Sequence, residues 1–361
     1  MGMAYWTMDG ERRKQEMNAE LRIKNILLFA AGVIAMGTTT SCRKDLCYNH
    51  DEHALTVKTN VKPSWELEWE RPYDMNWQEE WDDTHWGRTY DALRPQPASG
   101  ICVMVYKDNG GIAEHHLPAE GGRVPMDDGT HDLLFYNDDT QYILIDNATM
   151  AATASATTRG VSRGGFMELH EGERTVNQPD MLFGHYVEGY TTQRTLEDVD
   201  LPVEMHPLVY KYLIRYEFES GLEYVALARG AVAGMAESVY LMDGHTGDAS
   251  ATVMYDCTVT GFGAEAVIQS FGVPNYPGDH YTRADGSPAT YAVNLEVRLK
   301  NGKIVTYKFD VTDQMEKQPR GGVIVISGIV VDKEDGEEGS SGFDPSIDGW
   351  GEYQDIPVPI S

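Results

Sequence analysis

The chain has 361 residues and is strongly acidic, with 57 Asp and Glu against 29 Lys and Arg and a formal net charge of −28. So negative a chain repels nucleic-acid phosphates and lacks the basic cluster that such a partner needs, which argues against nucleic acid binding. If the first of the four cysteines is acylated, as argued below, the three that remain exclude a disulfide framework, and the length suits two domains of ordinary size.

The first predicted element is a secretory signal peptide over residues 1–41. Arg22 and Lys24 precede an apolar run at 26–36, which ends in small residues. This basic, apolar, small order is typical of an export signal. As a helix the run covers about 16 Å, against roughly 30 Å for a hydrocarbon core, so it is too short for a comfortable permanent span.

Cys42 is the predicted lipidation site. It directly follows the small residues at the expected cleavage point, where a bacterial lipoprotein signal peptidase recognises a cysteine whose thiol is acylated. Several acyl chains on one cysteine hold a soluble domain firmly to a leaflet. Residues 42–53 then form a lipidated tether. A plain cleaved signal and an uncleaved anchor are the alternatives.

A tryptophan-rich segment, residues 65–86, follows the tether. The plainer interpretation is interior packing under an acidic loop. The alternative is a platform for sugar rings, because flat aromatic rings beside carboxylates suit carbohydrate, with Trp77 and Trp81 as the stacking residues. The tryptophans are Trp65, Trp69, Trp77, Trp81 and Trp86.

Short apolar runs bounded by Gly, Pro and Asp-Gly predict an all-β protein, and helical periodicity is hard to find. The segment 148–165 consists largely of residues with small side chains and is poor in large apolar residues. We therefore predict a long flexible loop there, open to proteases at Arg159 and Arg163. Two domains are expected, an N-terminal β-sandwich over 54–197 and a C-terminal one over 198–335.

Two predicted strand regions have patterns that specify more detail. In 210–218 apolar residues alternate with Lys211, Arg215 and Glu217, so one face is expected to pack and the other to meet water. Near Asn301 the apolar residues of both strands occupy odd positions. A three-residue loop over 300–302 keeps them on one face, pairs Val297 with Val305 and puts glycine at the left-handed position.

The chain ends in an acidic, glycine-rich linker and a C-terminal strand, residues 336–361. Pro357 and Pro359 remove the N–H donors along one edge, while Ile356, Val358 and Ile360 keep theirs on the other. Such a strand pairs on one side only, either with an edge of its own domain or with that of a neighbour by strand donation.

No catalytic residue, cofactor site or metal site is predicted. The candidate groups are mostly adjacent in sequence, and neighbours on a strand project to opposite faces and cannot share a ligand. Cys102 and Cys257 lie in apolar runs and are expected to be buried thiols. The pairs considered are His115 and His116, Asp127 and Asp128, His131 and Asp132, Asp138 and Asp139, and His170 and Glu171.

The lipobox ending at Cys42, the turn and strand at 128–140, the strand at 210–218 and the ending at 342–351 together resemble a known family. It comprises Bacteroides-type lipoproteins of unknown function, related to fimbrillins and lipidated fimbrial anchor proteins. The resemblance implies tandem transthyretin-like Greek-key β-sandwiches, a lipid-anchored and surface-exposed position at the outer membrane, and assembly of subunits by strand donation.

Two functions are compatible with these sequence features. The first is a non-enzymatic anchor, tip or accessory subunit of a fimbria-like or adhesive surface assembly, whose partners are the membrane through its lipid and other fimbrial subunits. The second is a surface lipoprotein that binds glycan, or another host ligand, through the tryptophan-rich segment.

Overall fold

The computed structural model describes residues 56–146, 150–337, 350 and 353–356. Within these residues the predicted all-β class is confirmed, because the helices are short and most regular structure is strand. None of the described helices is long and apolar enough to cross a membrane. The helices are Trp77–Glu80, Asp83–Trp86, Thr312–Met315 and Lys333–Glu337, with 3-10 turns at Tyr90–Leu93, Ala151–Thr153 and Leu222–Tyr224. The strands, in chain order, are β1 (Val57–Trp65), β2 (Gly100–Lys107), β3 (Ile112–Pro118), β4 (Gly122–Met126), β5 (Gly129–Tyr136), β6 (Ile143–Asp146), β7 (Ser155–Thr158), β8 (Val161–Ser162), β9 (Arg174–Val176), β10 (Phe183–Thr192), β11 (Val199–Pro207), β12 (Tyr210–Ser220), β13 (Val225–Ala236), β14 (Ser238–Tyr240), β15 (Ser250–Val259), β16 (Gly263–Ser270), β17 (Ala292–Leu299), β18 (Ile304–Asp310), β19 (Gly322–Val330) and β20 (Gln354–Asp355).

The first sheet has seven strands in the order β3-β2-β5-β10-β11-β1-β4. It curls around one apolar core, to which its strands contribute alternate residues such as Val61, Val103, Phe135 and Val203. β11 lies inside the sheet, where it pairs antiparallel with β10 and parallel with β1. The sheet therefore runs to Pro207, while the domain division after residue 197 stays a prediction.

The second sheet has eight strands, in the order β18-β17-β13-β15-β16-β12-β19 with β9 beside β15. It encloses the largest core cluster, built from the inward faces of these strands. The β17–β18 hairpin confirms the predicted register, since Val297 pairs with Val305. Gly302 lies at φ 89°, and the Leu299 N–H donates to the Lys303 carbonyl at 2.8 Å.

The prediction of a flexible, exposed loop at 148–165 is wrong for the described part of it. β7 pairs with β6 on one side and β14 on the other, in a three-stranded sheet. Ala151, Ala154 and Ala156 are buried against the outer face of the first sheet. These small side chains let the backbone approach that face closely, which explains the composition that suggested a loop.

Arg163, expected to be open to proteases, is 8% exposed, whereas Arg159 is exposed as predicted. The Arg163 guanidinium lies 3.5 Å from Glu296 on β17. A buried arginine is found where a carboxylate compensates its charge. The pattern of small residues could not show this partner, which is more than a hundred residues away in the sequence.

The prediction of a water-facing side for β12 is also wrong. Leu213 and Val323 form an apolar cluster with Trp69, Trp86 and other side chains of the tryptophan-rich segment. Arg215 on this face is 6% exposed and donates to the His85 carbonyl at 2.7 Å. The segment between β1 and β2 therefore covers the outer face of the second sheet.

Candidate functional site

The docked C-terminal segment, residues 353–356, is the part of the structure that bears on strand donation. β20 pairs antiparallel with β8, Gln354 opposite Ser162 and Asp355 opposite Val161. The Ile356 N–H donates to the Gly160 carbonyl at 2.9 Å. The segment thus pairs with an edge of its own chain over a very short ladder.

Two side-chain hydrogen bonds hold the docked segment. The Tyr353 hydroxyl donates to Asp256 Oδ1 at 2.6 Å, and the Asn177 amide donates to Asp355 Oδ1 at 2.9 Å. Gln354, Asp355 and Ile356 are themselves exposed. Few groups would be left without partners if this ladder opened, because its polar side chains already lie near water.

Of the three proposed donor residues, Ile356 is 48% exposed at the end of this ladder. Val358 and Ile360 lie outside the described residues, as do Cys42, the signal peptide and the tether. Lipidation at Cys42 and strand donation by these residues therefore stay predictions.

A group of charged residues, Arg163, Arg229 and Glu296, lies beneath the docked segment. Glu296 accepts a hydrogen bond from Arg229 Nε at 2.7 Å and is 2% exposed. Trp350, just before the docked segment, covers the Arg229 guanidinium at 4.0 Å from its ring centre. The chain end therefore contributes to shielding a buried ion pair from water.

Trp77 and Trp81, the proposed stacking residues, are half-buried in the cluster that covers β12. Trp77 Nε1 donates to Gln318 Oε1 at 2.7 Å, and Trp81 Nε1 donates to the Arg88 carbonyl at 2.9 Å. Their rings pack edge-on against Trp86 and Trp69. This geometry agrees with the interior-packing interpretation, and the sugar platform stays a prediction.

A cavity of about 580 Å³ opens between the end of β13 and the 274–291 region. Asp248, Asp279 and Arg283 line it with charged groups. Tyr291 and His280 are 2% and 5% exposed, and within the described residues the Tyr291 hydroxyl and His280 Nε2 have no hydrogen-bond partner. Buried polar atoms are normally satisfied, so a missing partner for these two would have to come from the cavity side.

Ligand-type side chains also meet at the edge of the first sheet, where Cys102, Glu114 and His116 come together. Local spacing did not reveal this group because its members lie on two strands. The signal was the Asp-Asn-Gly-Gly turn at 108–111: a hairpin through it puts Cys102 opposite His116, as observed. Cys102 and Cys257 are both unbridged.

Comparison with known proteins relates the chain to fimbrial components. Residues 85–256 match the family described as "Domain of unknown function (DUF5119)". The chain is 22% identical over 297 residues to the "Putative fimbrium anchoring subunit Fim4B" of Bacteroides ovatus, covering 75% of this chain and 88% of that protein.

Two solved structures resemble this chain to different degrees. A "putative adhesin" from Bacteroides ovatus has a TM-score of 0.52 and 17% identity, over 78% of this chain and 96% of that one. The fimbrial anchor protein Mfa2 of Porphyromonas gingivalis has a TM-score of 0.37 and 11% identity, over 75% and 90% of the two chains. The likeness to the adhesin shows a common fold. The resemblance to fimbrial anchor proteins expected from the sequence is confirmed by the sequence similarity to the putative anchoring subunit of Bacteroides ovatus.

Proposed function

We propose that this chain, a relative of a fimbrium anchoring subunit, is a fimbria-associated adhesive component of the cell envelope. The observation that carries the proposal is the sequence relationship, which extends over 88% of that subunit. Its role is non-enzymatic, as anchor, tip or accessory subunit. Lipid on Cys42 holds it in the outer membrane with the β-sheets exposed on the surface.

It contacts other subunits by strand exchange, in which a strand of one subunit pairs with a sheet edge of the next. β20 occupies the β8 edge through two residue pairs and one further N–H donor, that of Ile356. A ladder this short is displaced at small cost by a longer strand from a neighbour. The released strand, with Ile356, Val358 and Ile360 as its pairing residues, is then free to enter a neighbour's sheet.

Deletion of residues 355–361 in cells that produce the fimbria tests this role. We expect co-purification with the other fimbrial subunits to be lost, while palmitate labelling and the far-UV spectrum stay unchanged. Cys42→Ala is the complementary variant, since it should lose the label and envelope retention without altering the fold. Unchanged co-purification after the deletion would contradict strand exchange through this segment.

Glycan binding is a second candidate function, favoured by the cavity that contains Tyr291 and His280. Carboxylates, a guanidinium and two unpartnered polar atoms suit the many hydroxyl groups of a sugar. The tryptophan platform and the cavity are separate places for such a ligand. Either one would act alongside anchoring rather than replace it.

Retention on immobilised polysaccharide distinguishes binding at the tryptophan platform from binding in the cavity. Trp77→Ala and Trp81→Ala should reduce retention if the platform binds sugar, whereas Tyr291→Phe should reduce it if the cavity does. Tyr291→Phe keeps the buried ring and removes only the unpartnered hydroxyl. Equal retention by all three variants and the natural chain would exclude both sites.

A further inference from the structure

Three side chains with metal-binding atoms share one face at the β2–β3 edge of the first sheet. Cys102 pairs with His116, and Met104 pairs with Glu114, so alternation places the four side chains together. Cys102 Sγ lies 3.7 Å from Glu114 Oε1, and His116 Nε2 lies 3.2 Å from the same oxygen. The three ligand atoms all lie within 4.8 Å of one another.

These separations fit the edges of a zinc coordination tetrahedron. With Zn–S near 2.3 Å and Zn–N and Zn–O near 2.0 Å, tetrahedral ligands lie about 3.5 Å apart for sulfur and oxygen and about 3.3 Å for nitrogen and oxygen. The sulfur–oxygen and nitrogen–oxygen distances, 3.7 Å and 3.2 Å, are close to these values. Two of the three distances therefore match a zinc site, and the third, from sulfur to nitrogen, is within 4.8 Å and can reach the tetrahedral value by side-chain rotation.

Asp138 orients the histidine of this group. Its Oδ2 lies 2.6 Å from His116 Nδ1, so the ring donates from Nδ1 and presents Nε2 to Glu114 and Cys102. Carboxylates hold metal-binding histidines in this way. Gly100 makes room for the carboxylate, because a Cβ there would lie 2.5 Å from Asp138 Oδ1.

We propose that Cys102, Glu114 and His116 bind one Zn²⁺ ion, with Asp138 as the positioning residue and the fourth coordination position open. Sulfur, imidazole and carboxylate together are a donor set that zinc accepts, and three protein ligands leave one position for water or a partner's ligand. The site is independent of the fimbrial role. Its exposed side, formed by Glu114 and His116, allows the ion to enter from solvent.

Binding exchanges protons for the metal. The S–H bond of Cys102 breaks and an S–Zn bond forms, an N–Zn bond at His116 Nε2 replaces the proton shared with Glu114, and the displaced protons pass to solvent. The thiolate and the Glu114 carboxylate then balance the two positive charges of the ion. Because binding releases protons, zinc affinity should rise with pH. The titratable groups facing the thiol are Tyr106, Glu114, His116, Tyr136 and Asp138.

Titration of the reduced full-length chain with Co²⁺, followed by Zn²⁺, tests the site. We expect one Co²⁺ per chain with a thiolate-to-cobalt charge-transfer band, which one Zn²⁺ then removes. Cys102→Ser should abolish the band. Asp138→Asn should keep the band but weaken affinity roughly 10- to 100-fold, as loss of an orienting carboxylate does.

Matched controls and a second ligand variant complete the test. Cys257→Ser and Cys47→Ser should retain the band, as should His115→Gln, because His115 lies on the opposite face of β3 from His116. His116→Gln changes an exposed residue, so it tests the site even if Cys102→Ser does not fold. Absence of Co²⁺ binding to the natural chain, or an unchanged band in His116→Gln, would overturn the proposal.

Discussion

At the scale of single residues, Glu173 shows how one carboxylate ties a long connection to the second sheet. Its side chain is 4% exposed and accepts hydrogen bonds from Thr252 Oγ1 at 2.5 Å and from the Gly234 N–H at 3.1 Å. Burial by itself would raise the pKa of Glu173, but hydrogen bonds from His170, Ser250 and Thr252 outweigh it and hold the pKa below its ordinary value of 4.5. The ionised form is therefore the one that stabilises the fold.

Glu173→Gln should make the protein less stable at neutral pH and flatten its response to acid. Because the folded-state pKa is depressed, the carboxylate contributes fully above about pH 4.5 and loses its contribution as pH falls through the folded pKa. We expect a loss of about 1–3 kcal/mol at pH 7, from removal of hydrogen bonds to a charge. Urea unfolding at pH 7 and at successively lower pH measures both effects.

Glu171→Gln is the control for that experiment, because Glu171 is an exposed neighbour. Its substitution should leave the pH dependence of the unfolding free energy unchanged. A Glu173→Gln chain that keeps the natural acid response would show that the carboxylate does not stabilise the fold by its charge.

At the scale of elements, the β3–β4 connection requires glycine for two separate reasons. First, Gly121 has φ +87°, a backbone conformation that residues other than glycine rarely adopt. Second, a Cβ there would lie 2.1 Å from the Val61 carbonyl oxygen of β1. Gly110, in the β2–β3 turn, has a similar φ of +79° but nothing within 4 Å. Substituting Gly110 would therefore introduce backbone strain alone, whereas substituting Gly121 would add a steric clash to that strain.

Gly110→Ala should cost about 1–2 kcal/mol, the strain of a left-handed backbone. Gly121→Ala should cost clearly more, because the connection must also move away from β1. Denaturant unfolding of the two variants measures the difference. Equal losses would mean that the connection yields freely and that the contact with β1 contributes nothing.

The elements also show what the sequence could and could not predict. The β17–β18 register followed from strand parity and a glycine at the turn, which are local features. The covered face of β12 did not, because its cover comes from residues more than a hundred positions earlier. Likewise Cys102 and His116 meet only through the β2–β3 register, and small residues such as Ala156 suggest a loop until the sheet they pack against is known.

At the scale of the whole molecule, strands and connections that belong to one sheet repeatedly make contacts with the other sheet. The Lys211 N–H of β12 donates to the Trp69 carbonyl, and the Arg71 N–H donates to the Arg320 carbonyl, both at 2.8 Å. β9 pairs with β15 of the second sheet, and β14 pairs with β7 beside the first. Neither sheet has a complete set of contacts without the other, so we expect the described residues to unfold in one transition.

Trp69→Ala tests this coupling at a fully buried side chain. Trp69 is fully buried, and its ring lies 5.2 Å from that of Tyr90 and 5.8 Å from that of Trp81. Loss of so large a buried side chain should cost about 3–5 kcal/mol. Hydrogen exchange followed by mass spectrometry should show protection falling together in β2–β5 and in β15–β17.

Trp77→Ala, which removes a half-buried ring at the rim of the same cluster, should cost less. Exchange that rises in the second sheet alone would mean that the two sheets unfold separately and that the tryptophan-rich segment is only a cover.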